Sequence, residues 1–212
     1  PMGSYLKIFK IIEKYKKSGA IVTDIGSTKQ NVIDASKLKI SNHNDCFLGS
    51  HPLTGKETSG VTSYENNLFN KAVVLVTPTD KSDKGLIKKI SKFWKDLQCK
   101  VKMISPELHD LVLSETSHLP HLVSFALVNI ILNTKSIKNI KDYTGGGFRD
   151  FARLAHSDGL MWNDICMSND KNVISSINML IKELSFIKSM VKSNDKSLRL
   201  YLNKIKTKLD KK

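Results

Sequence analysis

Four short strand-like runs, separated by helix-like segments and confined to the first hundred or so residues, constrain this chain more than any other feature. They are Ala20–Ile25, Cys46–Gly49, Ala72–Thr77 and Lys100–Ile104, and the third, Ala-Val-Val-Leu-Val-Thr, is the clearest strand in the chain. Between and around them, Tyr5–Lys17 repeats apolar residues at Leu6, Phe9 and Ile12 and stops at Ser18-Gly19, a helix C-terminal signal. A second helix opens at Ser27-Thr28 and runs towards Lys37, and Asp83–Leu97 is amphipathic. Such alternation predicts an α/β sheet. After Pro106 only helical periodicity remains: 107–133, Phe151–Ala155, Trp162–Met167, Val173–Lys192 and a basic helix from Lys196 onward, broken by the turn Gly145-Gly146-Gly147. The expected organisation is an α/β domain over 1–105 and an all-α domain over 106–212. No Gly-x-Gly-x-x-Gly follows a strand, so the front of a doubly wound sheet, where a nucleotide sits, is expected to lie outside this chain.

Charge does not redirect this reading. The net charge is +14, carried by 31 lysines and only 3 arginines spread over the whole length. Lys88, Lys89, Lys92 and Lys95 have the spacing of a solvated helix face, and no aromatics are interleaved with them, so a nucleic-acid surface is not expected. A positive field would still draw in a dianionic substrate. Cys46, Cys99 and Cys166 are far apart, unpaired by spacing and without metal-ligand patterns, which fits a reducing cytoplasm. The longest apolar stretch, Leu122–Leu132, is interrupted by Ser124 and Asn129, and nothing near the N-terminus has signal-peptide character, so no membrane is expected.

The histidines point to chemistry. His51 lies in Gly-Ser-His-Pro, His109 precedes Asp110, and His118 and His121 flank Leu119-Pro120. Imidazoles near neutral pH suit proton transfer or anion binding. No spacing here matches a zinc motif, and Pro120 disturbs the helix, so no metal is expected. On a regular helix, nine residues at 100° each would turn His118 to the side opposite His109. The two can share a small pocket only if the element is frayed or bent. Arg149 and Arg153 follow Gly145-Gly146-Gly147-Phe148, two guanidiniums in a chain that uses lysine almost everywhere else. The guanidinium fork grips a carboxylate in a way that an ammonium does not.

Together, Asp24-Ile25-Gly26-Ser27-Thr28-Lys29, Gly49-Ser50-His51-Pro52 through Gly60, His109-Asp110, Ser117-His118-Leu119-Pro120-His121, Gly147-Phe148-Arg149-Asp150 with Arg153, and Trp162-Asn163-Asp164-Ile165 resemble the prephenate dehydrogenase family over nearly the whole chain. The resemblance implies the C-terminal part of a Rossmann-type NAD(P)-binding domain followed by an all-α dimerisation domain. It implies oxidative decarboxylation of prephenate to 4-hydroxyphenylpyruvate, with hydride passing to NAD or, alternatively, NADP. Arogenate, or both substrates, is the alternative within the family. On the family pattern His51 removes the 4-hydroxyl proton, and Ser27 hydrogen-bonds the same region beside the cofactor. Arg153 holds a substrate carboxylate, and His109, His118, His121, Gly146 and Trp162 line or pack near the pocket, with Glu57 ordering it. A homodimer through the helical domain is implied. The 212-residue chain by itself is expected to be dimeric and without dehydrogenase activity, because the pyrophosphate-binding turn is absent.

Overall fold

The computed structural model describes residues 2–55, 65–134, 140–193 and 196–211. By contacts these group into two compact units, 1–173 and 174–212, so the boundary expected near residue 106 falls inside the first.

The first unit is built on a four-stranded sheet in the order β1 (Val22–Thr23), β2 (Phe47–Pro52), β3 (Val73–Thr77), β4 (Lys100–Met103). α1 (Tyr5–Tyr15) precedes β1. α2 (Gln30–Lys39) and the single turn α3 (His43–Cys46) cross from β1 to β2, which pair in parallel. α4 (Lys84–Asp96) likewise joins the parallel pair β3 and β4. Between these two βαβ units the sheet reverses: β2 and β3 run antiparallel, with Ser50 opposite Val76 and His51 opposite Leu75. The sheet is therefore mixed, where alternation alone had suggested the parallel order.

Adjacent residues of β2 explain how two cores are served by one strand, since side chains alternate across a sheet. Phe47 joins Phe9, Val32, Ile33, Ile40 and Ile165 on one face. Leu48 joins Val74, Val76, Leu86, Ile90 and Trp94 on the other. α4 covers that second face because Asp83 caps it, accepting from the Leu86 amide at 2.7 Å, and turns Leu86, Ile90 and Trp94 inward.

α5 (Pro106–Leu113) begins at a Ser105 cap with proline in its first turn. It continues through a π turn (Ser114–His118) into α6 (Leu119–Leu132). Pro120 offers no N–H and its ring crowds the carbonyl four residues back. The helix widens just there, and the Leu119 amide donates to Ser114 O, five residues back. By length and composition, Pro106–Leu132 would suffice to cross a membrane, with a window of mean hydropathy 1.2. The sequence reading had found no such run. The same stretch nevertheless buries His109, Asp110 and His118.

α7 (Gly146–Ala155) starts at Gly146, so Gly146 and Gly147 are helical and not part of a turn. α8 (Gly159–Ser168) is capped by Asp158, and α9 runs Asp170–Lys192. The second unit holds the rest of α9 and α10 (Leu198–Asp210), with Phe186 and Tyr201 edge to face at 5.3 Å. It leaves Ile174, Ile181, Leu184, Phe186, Leu200 and Leu209 exposed.

Candidate functional site

His51 is brought to the site by β2, inside the strand and one residue from its end, and not after it. Its Nδ1 lies 2.9 Å from His109 Nε2, and His109 Nδ1 lies 2.8 Å from Asp110 Oδ1. The Asp110 carboxylate also accepts the backbone amides of Lys29 and Gln30 at 2.8 and 2.9 Å, capping α2 from α5. His118 closes the cluster: Asn169 Nδ2 donates to Asp110 O at 2.7 Å and lies 3.4 Å from His118 Nδ1. The π turn makes this possible. One residue added to a helical turn sets the helix back by about 100°, so His109 and His118 lie nearer to the same side than a regular helix would allow.

A cavity of about 740 Å³ opens beside this cluster, a size suited to one small ligand. His51, His121, Arg153 and Trp162 are among the residues lining it, with Thr116, Ser117 and Met161. His121 stacks on Trp162 with ring centroids 4.0 Å apart and donates from Nδ1 to Ser117 O at 2.9 Å. Arg153 stands exposed on α7 at the cavity's edge. His109 and His118, expected among the lining residues, are fully buried behind it. Ser27 lies in the loop 24–29 between β1 and α2, outside that lining. Gly146 is exposed at the start of α7 and also outside it. Glu57 lies outside the described residues. Among the described residues no group of acidic, histidine and cysteine side chains has a metal-binding arrangement.

Beneath β2 sits an ion pair that residue-by-residue reading missed. The Lys29 ammonium bonds the Asp24 carboxylate, both buried. Asp24 also accepts from Gly26 N at 2.8 Å, Ser50 N at 3.1 Å and Tyr5 Oη at 3.1 Å. Gly49 is required above it: a Cβ there would come within 2.5 Å of Thr77 Oγ1 and 3.3 Å of Lys29 Cδ. The one available signal was the motif itself, which places an acid and a base five residues apart next to an apolar run.

These surroundings keep His51 and His118 neutral. Burial, then His109, Lys29 and His118, push His51 down to about 2. Burial, assisted by His109 and His121 and opposed by Asp110, pushes His118 down to about 4. Both values lie below the ordinary 6.5. Below pH 6.5 the unfolded chain therefore binds protons that the folded chain refuses. The stability gained by neutral rings is complete above that pH and drains as pH falls. His118 alone should cost about 2 kcal/mol between pH 7 and pH 5. Urea unfolding at pH 7, 6 and 5 measures this, and an unfolding free energy flat over the range would contradict the burial of these rings.

Two family models cover this chain: "Prephenate dehydrogenase, nucleotide-binding domain" matches residues 1–103, and "Prephenate dehydrogenase, dimerization domain" matches 105–204. Prephenate dehydrogenase of Bacillus subtilis is 34% identical over 176 residues, covering 82% of this chain and 47% of that protein. Cyclohexadienyl dehydrogenase of Zymomonas mobilis is 32% identical over 181 residues, covering 84% and 61%. The chain thus spans about half the length of the curated relatives it matches. The crystal structure of prephenate dehydrogenase from A. aeolicus, in complex with hydroxyphenyl propionate and NAD+, superposes with a TM-score of 0.89. At 38% identity, the match covers 100% of this chain and 73% of that one.

Proposed function

Because this chain belongs to the prephenate dehydrogenase family, we propose that the whole protein oxidises and decarboxylates prephenate to 4-hydroxyphenylpyruvate, with NAD as hydride acceptor. The observation that carries this is the placement of a neutral imidazole, His51, on the wall of a 740 Å³ cavity that also presents His121 and Arg153.

The reaction needs three things from these residues. A base must take the 4-hydroxyl proton as hydride leaves the same carbon, and His51 is neutral and free to accept it. A carboxylate must be held, and Arg153 offers the bidentate fork. The ring must lie flat against something, and the His121–Trp162 stack provides a planar wall. Loss of the ring carboxylate as carbon dioxide then makes the ring aromatic. NAD, when bound, supplies the electron sink. The chain contains no Gly-x-Gly-x-x-Gly to cradle a pyrophosphate. The part of the cofactor site we assign to it is the Ser27 loop at the carboxyl end of β1. Glu57, Gly146, His109 and His118 are given supporting roles around the pocket. We assign residues 106–212 to the substrate-binding and dimerisation domain, and the exposed apolar residues of α9 and α10 to a homodimer contact. The buried ionisable groups of Pro106–Leu132 argue for a core helix over a membrane span. No nucleic-acid partner is assigned, and a cytoplasmic location suits the unpaired cysteines.

The test is reduction of NAD or NADP by the whole protein with prephenate or arogenate, followed by absorbance. Turnover is expected with prephenate and NAD, and no turnover with either substrate would end this reading. Arg153→Lys keeps the charge and loses the fork, so KM for prephenate should rise about tenfold or more with kcat little changed. An unchanged KM would remove Arg153 from carboxylate binding.

A further inference from the structure

We propose that Asp110 and His109 are positioning residues that hold His51 in its Nδ1–H tautomer, so that the cavity meets a bare Nε2. This rests on the reading of His51 as the proton acceptor, but its chemistry can be followed atom by atom without that reading.

The direction of the chain is set at its buried end. The Asp110 carboxylate accepts the amides of Lys29 and Gln30 at 2.8 and 2.9 Å, which fix it against rotation. Its third partner, His109 Nδ1 at 2.8 Å, must therefore donate. A neutral His109 with its proton on Nδ1 has only a lone pair on Nε2. The 2.9 Å contact from there to His51 Nδ1 then needs the hydrogen on His51. His51 Nε2 is left as an acceptor, and it has no hydrogen-bond partner among the described residues.

His109 is fully buried, and Lys29 stands near enough to His51 to add to the effect of burial in pushing that imidazole down. His118, also neutral, faces the cluster from the π turn, and Asp24 neutralises Lys29 from below. When a proton arrives on His51 Nε2, the new imidazolium already donates from Nδ1 into His109, which donates in turn into Asp110. The carboxylate steadies the charge without itself taking the proton, the logic that an aspartate serves behind a catalytic histidine elsewhere. The same carboxylate caps α2, directly after the Ser27 loop. One side chain of the helical segment thereby holds both the His51–His109 chain and the start of α2 that follows the Ser27 loop.

The experiment is a two-bond 1H–15N imidazole spectrum of the protein labelled with 15N at histidine, with His51 assigned by its loss in His51→Gln. Expected is a protonated Nδ1 and an unprotonated Nε2 for His51 near pH 7.5. His109→Phe removes the acceptor and should shift His51 towards the Nε2–H form common in unconstrained imidazoles. His109→Gln can accept from His51 through its carbonyl oxygen and should restore Nδ1–H. An Nε2–H signal for His51 in the parent protein overturns the proposal, whether or not His109→Phe folds. So does an Nδ1–H signal that His109→Phe leaves untouched. Neither readout involves substrate or turnover, so failure here is separate from failure of the dehydrogenase reading.

Discussion

Replacing His51 with Asn is expected to lower kcat of the whole protein by roughly 10²–10⁴-fold, the usual contribution of a positioned base. KM should change little, because the carboxylate grip is the role proposed for Arg153. Asn is close in size and polar, so β2 should keep its pairing to β3 across His51 and Leu75. The burial that holds His51 near 2 makes it a weak base in the empty site. A dianionic substrate placed against it would raise that value by favouring the imidazolium. Proton transfer is thus tied to occupancy, and an empty pocket keeps its base neutral through the physiological range. A variant with normal kcat would take His51 out of the mechanism.

The second large effect is on stability. Lys29→Met leaves the Asp24 carboxylate buried among Gly26 N, Ser50 N and Tyr5 Oη with its cation gone. Breaking a buried pair by removing one partner costs about 3–5 kcal/mol, because an uncompensated charge stays behind. Burial alone lowers the Lys29 pKa, while Asp24 and then Asp110 oppose it. Removal of both charges in Lys29→Met with Asp24→Asn should recover part of the loss, since neutral buried groups need less compensation. Urea unfolding of the two single variants and the double variant gives the coupling. A loss below about 1 kcal/mol in Lys29→Met would show that Asp24 is already satisfied by its three other donors.

How far the sequence led depended on whether a feature was local. Ala72–Thr77 was legible because a buried central strand needs apolar residues on both faces, and the observed strand is Val73–Thr77. Ala20–Ile25 was read too long: only Val22–Thr23 pair, because Asp24 turns in to meet Lys29 and the chain leaves the sheet. The antiparallel join of β2 to β3 carries no periodic signature, since a strand's pattern is the same in either direction. Of the site, His51, His121, Arg153 and Trp162 could be found as chemistry-bearing residues near turns and helix starts. The bond from the Lys29 amide to Asp110 spans 81 positions, and no spacing rule reaches that far. Asp110 was visible only as the neighbour of a histidine, and its double duty is a product of the fold.

The widened turn at Ser114–His118 has a further consequence for how the gene can change. Its contribution is a count of residues more than their identity, since Glu115 and Thr116 are exposed. Loss of a single codon there would let the helix close into an ordinary α turn with His121 and α6 kept on their present faces, because the surplus residue and the roughly 100° it absorbs disappear together. A second added residue would have no such turn to relax into and would carry His118 and His121 round by about 100°. A one-residue gap there is therefore compatible with the same site, and an insertion is not.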